Sequence, residues 1–335
     1  MNILVFEYLH TTASVFRAAP QSMRAEGRAM MQCLVNDLLT VPHVQVTVAC
    51  CADALKAVPF SGEVRRVAIS DGDLSEITRQ LGTVARTQDI VIPIAPECDG
   101  ILSHVVSTLR QGGHRVLAAP DEAIKICSDK WRTDQLLRQL HLPAIPTVLA
   151  NSTENLPPAA GGWYVVKPRD GAGCEGVFRT PADQLNQRLL SLYAPAEAFL
   201  LQPCLPGAAF SVAMLGQGPG RPPLILPLAT QKITWTNDRP VYSGGAIPMN
   251  VPAFDTDLHD LCSQLASTLK LSEGYVGVDL LQPEGQTDVL ITEINPRLCT
   301  SYTGYCRAAS SSLAAHLLQI PDVPPIRWCA AEILF

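Results

Sequence analysis

The chain opens on an almost unbroken apolar run. Residues 2–8 (NILVFEY) predict a β-strand, because aromatic and β-branched residues dominate them. Between 21 and 39 the spacing changes. Met23, Gly27, Met30, Met31, Leu34, Val35 and Leu38 recur at helical intervals and predict an amphipathic helix. VQVTVA (44–49) and DIVIPIA (89–95) are further strands, the second apolar enough to be buried on both faces. A helix over 99–109, closed by Gly112–Gly113, leads to a strand at 115–119. Strands alternating with helices predict a parallel α/β domain over 1–119. No GxGxxG follows the first strand, which argues against a dinucleotide site.

Pro120 breaks this rhythm. A helix capped by Ser128 or Asp129 is expected to run to about Leu140, and 143–158 is loop-rich. Strands then predominate, at 163–168, 198–203, 210–215, 224–229, 276–281 and 289–295. Helices are expected at 183–192, 256–270 and 308–318. A second, mostly antiparallel α+β domain over 120–335 follows, so the fold class is α/β plus α+β.

Composition narrows the function classes. Hydrophobic residues make up 47% of the 335 positions and charged residues 17%, which excludes a disordered chain or a coiled coil. The net charge of −6, without a basic run, argues against sequence-independent nucleic-acid binding. The longest apolar runs fall short of the roughly 20 residues a membrane helix needs. Glu7 interrupts the first run and no basic stretch precedes it, so no targeting segment is expected. The 11 cysteines form no CxxC pair and read as reduced thiols of a cytoplasmic protein.

The most informative stretch is GYVGVDLLQPEGQTDVLITEINPRLCT (274–300). Two β-rich runs flank a turn-like PEGQT, predicting a hairpin. With the turn centred on Gln286, Asp279 lies opposite Glu293, and Asn295 shares their face because the side-chain period of a strand is two. Adjacent carboxylates repel, and a divalent cation removes that conflict. An all-oxygen donor set from Asp279, Glu293 and Asn295 favours Mg²⁺ or Mn²⁺ over zinc. A bulge would shift this register by one residue.

The second feature is KPRDGAGCEGV (167–177). Gly171, Gly173 and Gly176 would let backbone N–H groups approach phosphate oxygens, and Lys167 supplies a matching cation. The spacing is not that of a Walker P-loop. Lys130, at a helix start in ICSDKWRT, is by itself unremarkable surface chemistry.

In chain order, Lys130, Lys167 with its glycine loop, QPCLPG, Asp279 and Glu293-x-Asn295-Pro296-Arg297 resemble an ATP-grasp enzyme with a Rossmann-like first domain. The resemblance implies a smaller lid subdomain over about 142–203 and a metal-binding one over 204–335. It implies that Lys130 and Lys167 meet the ATP phosphates and that the loop with Gly171, Gly173, Cys174 and Gly176 closes over the γ-phosphate. Gln202, Pro203, Cys204 and Leu205 would hold adenine through backbone groups, Asp279, Glu293 and Asn295 the metals, and Arg297 an acyl phosphate. Arg297 and Lys167 are thus the implied catalytic residues. Gln202 and Ala208–Ala209 stand where family members often carry acidic residues for adenine and ribose.

FEY after the first strand, EGRAM, SDKW, DGAGCEGV, YSGGAIP (242–248) and EINPRLCTSYTGY are together similar to the tyramine–L-glutamate ligase family of methanofuran and methylofuran biosynthesis. That resemblance implies ADP-forming ligation of the glutamate γ-carboxylate to tyramine or a tyrosine-like amine. A substrate pocket is expected at the end of the first strand, near Glu7, Tyr8 and His10, facing Thr300, Ser301 and Tyr302. Tyr242 and Gly244–Gly245 are expected to form a tight turn close by. Small-molecule carboxylate and amine substrates are the expected partners, with a homo-oligomer left open. A small-molecule kinase, a D-alanine-ligase-like dipeptide synthetase and a non-catalytic nucleotide-binding module are the competing readings.

Overall fold

A computed structural model describes residues 1–159, 161–247, 254–329 and 332–335. The first half carries β1 (Asn2–Glu7), β2 (Gln45–Ala49), β3 (Arg65–Val67) and β4 (Ile90–Ile94), with helices α1 (Ala13–Ala18), α2 (Gln21–Leu38), α3 (Ala52–Ala57), α4 (Leu74–Ala85) and α5 (Ile101–Gln111). The strands form one parallel sheet in the order β3-β2-β1-β4. β1 is an inner strand and β4 follows it at the end of the order, and both are covered on both faces, which is why their apolar runs do not alternate: Ile3 to Phe6 and Ile90 to Ile92 are buried. On α2, Gly27, Met30, Met31, Leu34, Val35 and Leu38 are the buried face, as the spacing predicts.

The expected strand at 115–119 is reduced to one parallel bridge between Val91 and Val116. The Arg110 guanidinium takes the carbonyls of Val116, Ala118 and Ala119, so these acceptors are engaged without a ladder. Two helices follow, α6 (Asp121–Cys127) and α7 (Lys130–Gln139), and Asp129 caps α7 by accepting from the Trp131 N–H at 2.9 Å.

A small antiparallel sheet, ordered β5-β8-β6-β7, combines β5 (Val148–Leu149), β6 (Trp163–Pro168), β7 (Phe178–Pro181) and β8 (Phe199–Pro203). Helix α8 (Leu185–Leu190) packs on it, and this unit has its own core around Val148, Tyr164, Val166, Phe199 and Leu201. The larger antiparallel sheet contains β9 (Gly207–Leu215), β10 (Leu224–Ile225), β11 (Ala229–Thr236), β12 (Arg239–Ile247), β13 (Tyr275–Pro283), β14 (Leu290–Asn295) and β15 (Ile333–Leu334). Helices α9 (Leu258–Thr268), α10 (Tyr302–Ala308) and α11 (Leu313–Leu317) complete the chain. One core joins Leu4, Phe6 and Val105 to Val276 and Ile294, so apolar packing is continuous between the parallel sheet and the large antiparallel one.

Three further elements differ from expectation. Of the helix expected at 308–318 only α11 forms: α10 ends at Ala308 because the chain is extended at Ala309, and Ser312 caps α11 through the Ala315 N–H. The strand at 224–229 stops at Ile225, and Pro227, which has no N–H to give a ladder, precedes the start of β11. Tyr242, Gly244 and Gly245 lie within β12 rather than in a turn. The turn is Asn237–Asp238, both left-handed, the two-residue hairpin connection that right-handed strand twist favours. Pro248, the last residue of YSGGAIP, lies outside the described residues.

Candidate active site

Asp279 and Glu293 lie directly opposite each other on β13 and β14, and Asn295 faces Gly277 two positions along. A bulge does interrupt this hairpin, but it falls at Thr292, on the turn side of the pair, and leaves the pairing intact. Asn295 donates its amide N–H to Asp279 Oδ2 at 2.9 Å, and Gln231 of β11 donates to Oδ1 at 2.8 Å. Burial, with the Glu293 charge adding to it, pushes the Asp279 carboxyl up to about 7. Ser211 of β9, the cross-strand neighbour of Asp279, has a buried hydroxyl without a hydrogen-bond partner among the described residues.

Lys130 and Lys167 converge on the same carboxylates. Lys130 Nζ lies 3.0 Å from Glu293 Oε1 and also donates to the Gly171 carbonyl, so one ammonium joins the hairpin to the glycine loop. Burial opposes ionisation of Glu293, yet Lys130 and Lys167 hold its carboxyl below the usual range. Lys167, at the end of β6, donates to the Thr292 carbonyl at 3.2 Å, and burial lowers its ammonium to about 8. The loop between them bends through left-handed Gly173, Cys174 and Gly176. A Cβ at Gly176 would lie 2.8 Å from Pro168, so the turn requires glycine there.

An open cleft of about 210 Å³ brings Gly173 and Cys174 of the loop against Asp279, Glu293, Asn295 and Arg297. Thr300, Ser301 and Tyr242 line its far side, with Glu26 of α2. A much narrower cavity, of about 20 Å³, adjoins Lys130, Lys167, Glu293 and Gln202. Of the adenine residues implied by resemblance, Gln202 alone reaches it, and its amide donates to the Thr147 hydroxyl at 2.8 Å. Pro203 pairs with Tyr164 in the small antiparallel sheet, and the Cys204 N–H is already given to the Trp163 carbonyl at 2.8 Å. Neither they nor Leu205 line a described cavity.

The substrate residues are only partly assembled. Glu7 lines a small cavity next to the cleft, but its carboxylate is engaged by His10 Nδ1. His10 is buried against Phe16, and Tyr8 belongs to the core. Tyr302 is likewise structural: fully buried, it donates its hydroxyl to Asp37 of α2 at 2.9 Å. Thr300 and Ser301 do face the cleft.

Four residues of the site are not among the sequence candidates: Ser211, Gln231, Glu26 and Glu97. Glu97 clamps the Arg297 guanidinium through both carboxylate oxygens. It follows the carboxyl end of β4, where open parallel sheets place ligands, and that position was the available signal.

The donors present fit a divalent cation. Two carboxylates and an amide oxygen are hard ligands, and the raised Asp279 marks a negative-charge conflict that a cation would relieve. Among the described residues no group of three or more His, Cys, Asp or Glu side chains is placed to hold a metal ion by itself.

Comparison with known proteins agrees with this geometry. Residues 127–301 match the ATP-grasp domain, and 44–124 match the pre ATP-grasp 3 domain. A tyramine–L-glutamate ligase from Methanocaldococcus fervens is 26% identical over 304 residues, covering 90% of this chain and 88% of its own. The crystal structure of an ATP-grasp superfamily protein from Archaeoglobus fulgidus superposes with a TM-score of 0.67 at 19% identity, over 100% of this chain and 98% of its own. The biotin carboxylase domain of Hydrogenobacter thermophilus 2-oxoglutarate carboxylase, solved with MgADP, ADP and bicarbonate, superposes with a TM-score of 0.68 at 12% identity, over 99% and 72% of the two chains. The ATP-grasp match spans more than half of the chain, which therefore belongs to the ATP-grasp family as an ATP-dependent ligase.

Proposed function

We propose that this chain joins the γ-carboxylate of glutamate to tyramine or a tyrosine-like amine, forming ADP and phosphate through an acyl phosphate. The setting would be cytoplasmic synthesis of a methanofuran- or methylofuran-type cofactor. One observation carries the reading: Asp279, Glu293 and Arg297 line one cleft with the glycine loop, and Lys130 and Lys167 approach Glu293 from the adjoining cavity. The substrate identities rest on the similarity to tyramine–L-glutamate ligase.

A carboxylate resists attack by an amine because its charge must first be lost. In the proposed sequence a carboxylate oxygen attacks the γ-phosphorus and ADP leaves. The amine nitrogen then attacks the acyl carbon, the C–O bond to phosphate breaks with its electron pair, and the amine gives up a proton. Asp279, Glu293 and Asn295 would hold Mg²⁺, which when bound neutralises charge on the phosphates. Lys130 and Lys167 would bind the phosphates, and Arg297, already oriented by Glu97, would face the acyl phosphate. The loop over 171–176 would exclude water, since acyl phosphates hydrolyse.

The test is an ADP-release screen of amino acids against amines, with glutamate, tyrosine and tyramine included. ADP release that needs both partners, and a hydroxamate when hydroxylamine replaces the amine, is the expected result. A phosphorylated small molecule as the end product would instead indicate a kinase. No activity with glutamate would sink the substrate assignment.

A further inference from the structure

Beside the main cleft, and sharing Glu26, Gly173 and Arg297 with it, lies a second, small cavity of about 40 Å³. Its walls are mostly apolar, with Met23 and Met30 of α2 on one side and Ile94 and Pro96 at the end of β4 on the other. Three charged side chains face it: Glu7, Arg297 and Glu26. Two of them are matched inside the protein, Glu7 by His10 and Arg297 by Glu97. Glu26 differs. Its Oε2 accepts from the Thr300 hydroxyl at 3.2 Å, and among the described residues no Lys, Arg or His forms an ion pair with it.

The local packing sets Glu26 at the junction of the two cavities. Gly27, the next residue, lets α2 pass close to the Glu7 carboxyl, since a Cβ there would lie 2.6 Å from Glu7 Cδ. Thr300 follows the metal hairpin, so its hydrogen bond ties Glu26 to the strand end that carries Arg297. Partial burial raises the Glu26 carboxyl above its ordinary value, the sign of a charge short of compensation.

We propose that Glu26 binds the ammonium group of the acceptor amine at the junction of the main cleft and the small apolar cavity lined by Met23, Met30, Ile94 and Pro96, which the apolar part of that amine would face. This assignment rests on the ligase reading and adds to it the residue that selects a cationic acceptor with an apolar remainder. An ammonium at Glu26 would stand in the cleft that Arg297 also lines, on the side away from the lysines.

The test separates the two substrates. Michaelis constants for amine and carboxylate are measured in turn, each with its co-substrate saturating, for the wild type, Glu26→Gln and Glu26→Asp. Loss of one charge-assisted hydrogen bond predicts an amine KM about 10- to 100-fold higher in Glu26→Gln, with partial recovery in Glu26→Asp and a carboxylate KM within threefold of wild type. Thermal stabilisation by Mg·ADP checks that both variants fold. A rise confined to the carboxylate KM, or no change in either, overturns the assignment while leaving the ligase intact. A wild-type chain that releases no ADP with any carboxylate–amine pair overturns the ligase reading, and this one with it.

Discussion

Arg297 and Glu97, 200 residues apart in sequence, form a buried ion pair that ties the end of β14 to the loop after β4. The parallel domain thereby orients a guanidinium at the mouth of the antiparallel one. Removing one partner of such a pair leaves an uncompensated buried charge. Glu97→Gln is expected to destabilise the chain by about 3 kcal/mol. A double variant, Glu97→Gln with Arg297→Met, should regain most of that loss while remaining inactive. Denaturant unfolding of the three proteins decides it, and equal midpoints for Glu97→Gln and wild type would refute the coupling.

Lys167 makes the fold pH-dependent in an unusual direction. Its ammonium is lowered to about 8, against an ordinary 10.5. Below pH 8 it is charged in both folded and unfolded chains, and its burial lowers stability. Between about 8 and 10.5 only the unfolded chain keeps the proton, so this residue makes stability rise with pH, by up to about 3 kcal/mol across the window. Lys167→Met should accordingly melt higher than wild type at pH 7 and bind ADP less tightly. Melting curves between pH 7 and 10 test the sign, since a wild-type curve parallel to that of Lys167→Met contradicts it.

Asp279 has the opposite character. A carboxyl raised to about 7 loses stability as pH climbs from its unfolded value near 4, because the folded chain disfavours the charge. Asp279→Asn should raise the melting temperature of the ligand-free protein at pH 8 and weaken the stabilisation by Mg·ADP. In wild type, EDTA should abolish most of the added stabilisation from ADP. Equal thermal shifts with and without EDTA would contradict the metal assignment.

Gly27 offers a test in which propensity and packing oppose each other. Glycine to alanine inside an exposed helix normally stabilises it by up to about 1 kcal/mol. Here the new Cβ would press on Glu7, which is held by His10, so Gly27→Ala should instead destabilise by about 1–3 kcal/mol. Unfolding midpoints read the sign directly.

Much of this molecule was legible in local pattern. Unbroken apolar runs marked β1 and β4 because both faces of these parallel strands are covered. The period of two put Asp279 opposite Glu293 and Asn295 on their face, and the bulge at Thr292 left that arrangement intact because it lies beyond the pair. Glycines at 173 and 176 announced a backbone that only glycine tolerates easily. Such features depend on neighbours a few residues away, or on a hairpin whose register two strands fix between them.

What the tertiary structure alone decided is which partner each polar group found. Tyr302 and His10 looked available in sequence but are engaged by Asp37 and Glu7 inside the packing. Lys130, unremarkable as one lysine at a helix start, becomes the link between Glu293 and the glycine loop. Glu97 and Glu26 lie far in sequence from Arg297 and Thr300 and meet them only because two sheets share one core. Long-range pairing of charges follows from how layers dock, and docking is set by the summed burial of many side chains, which no local window of sequence contains.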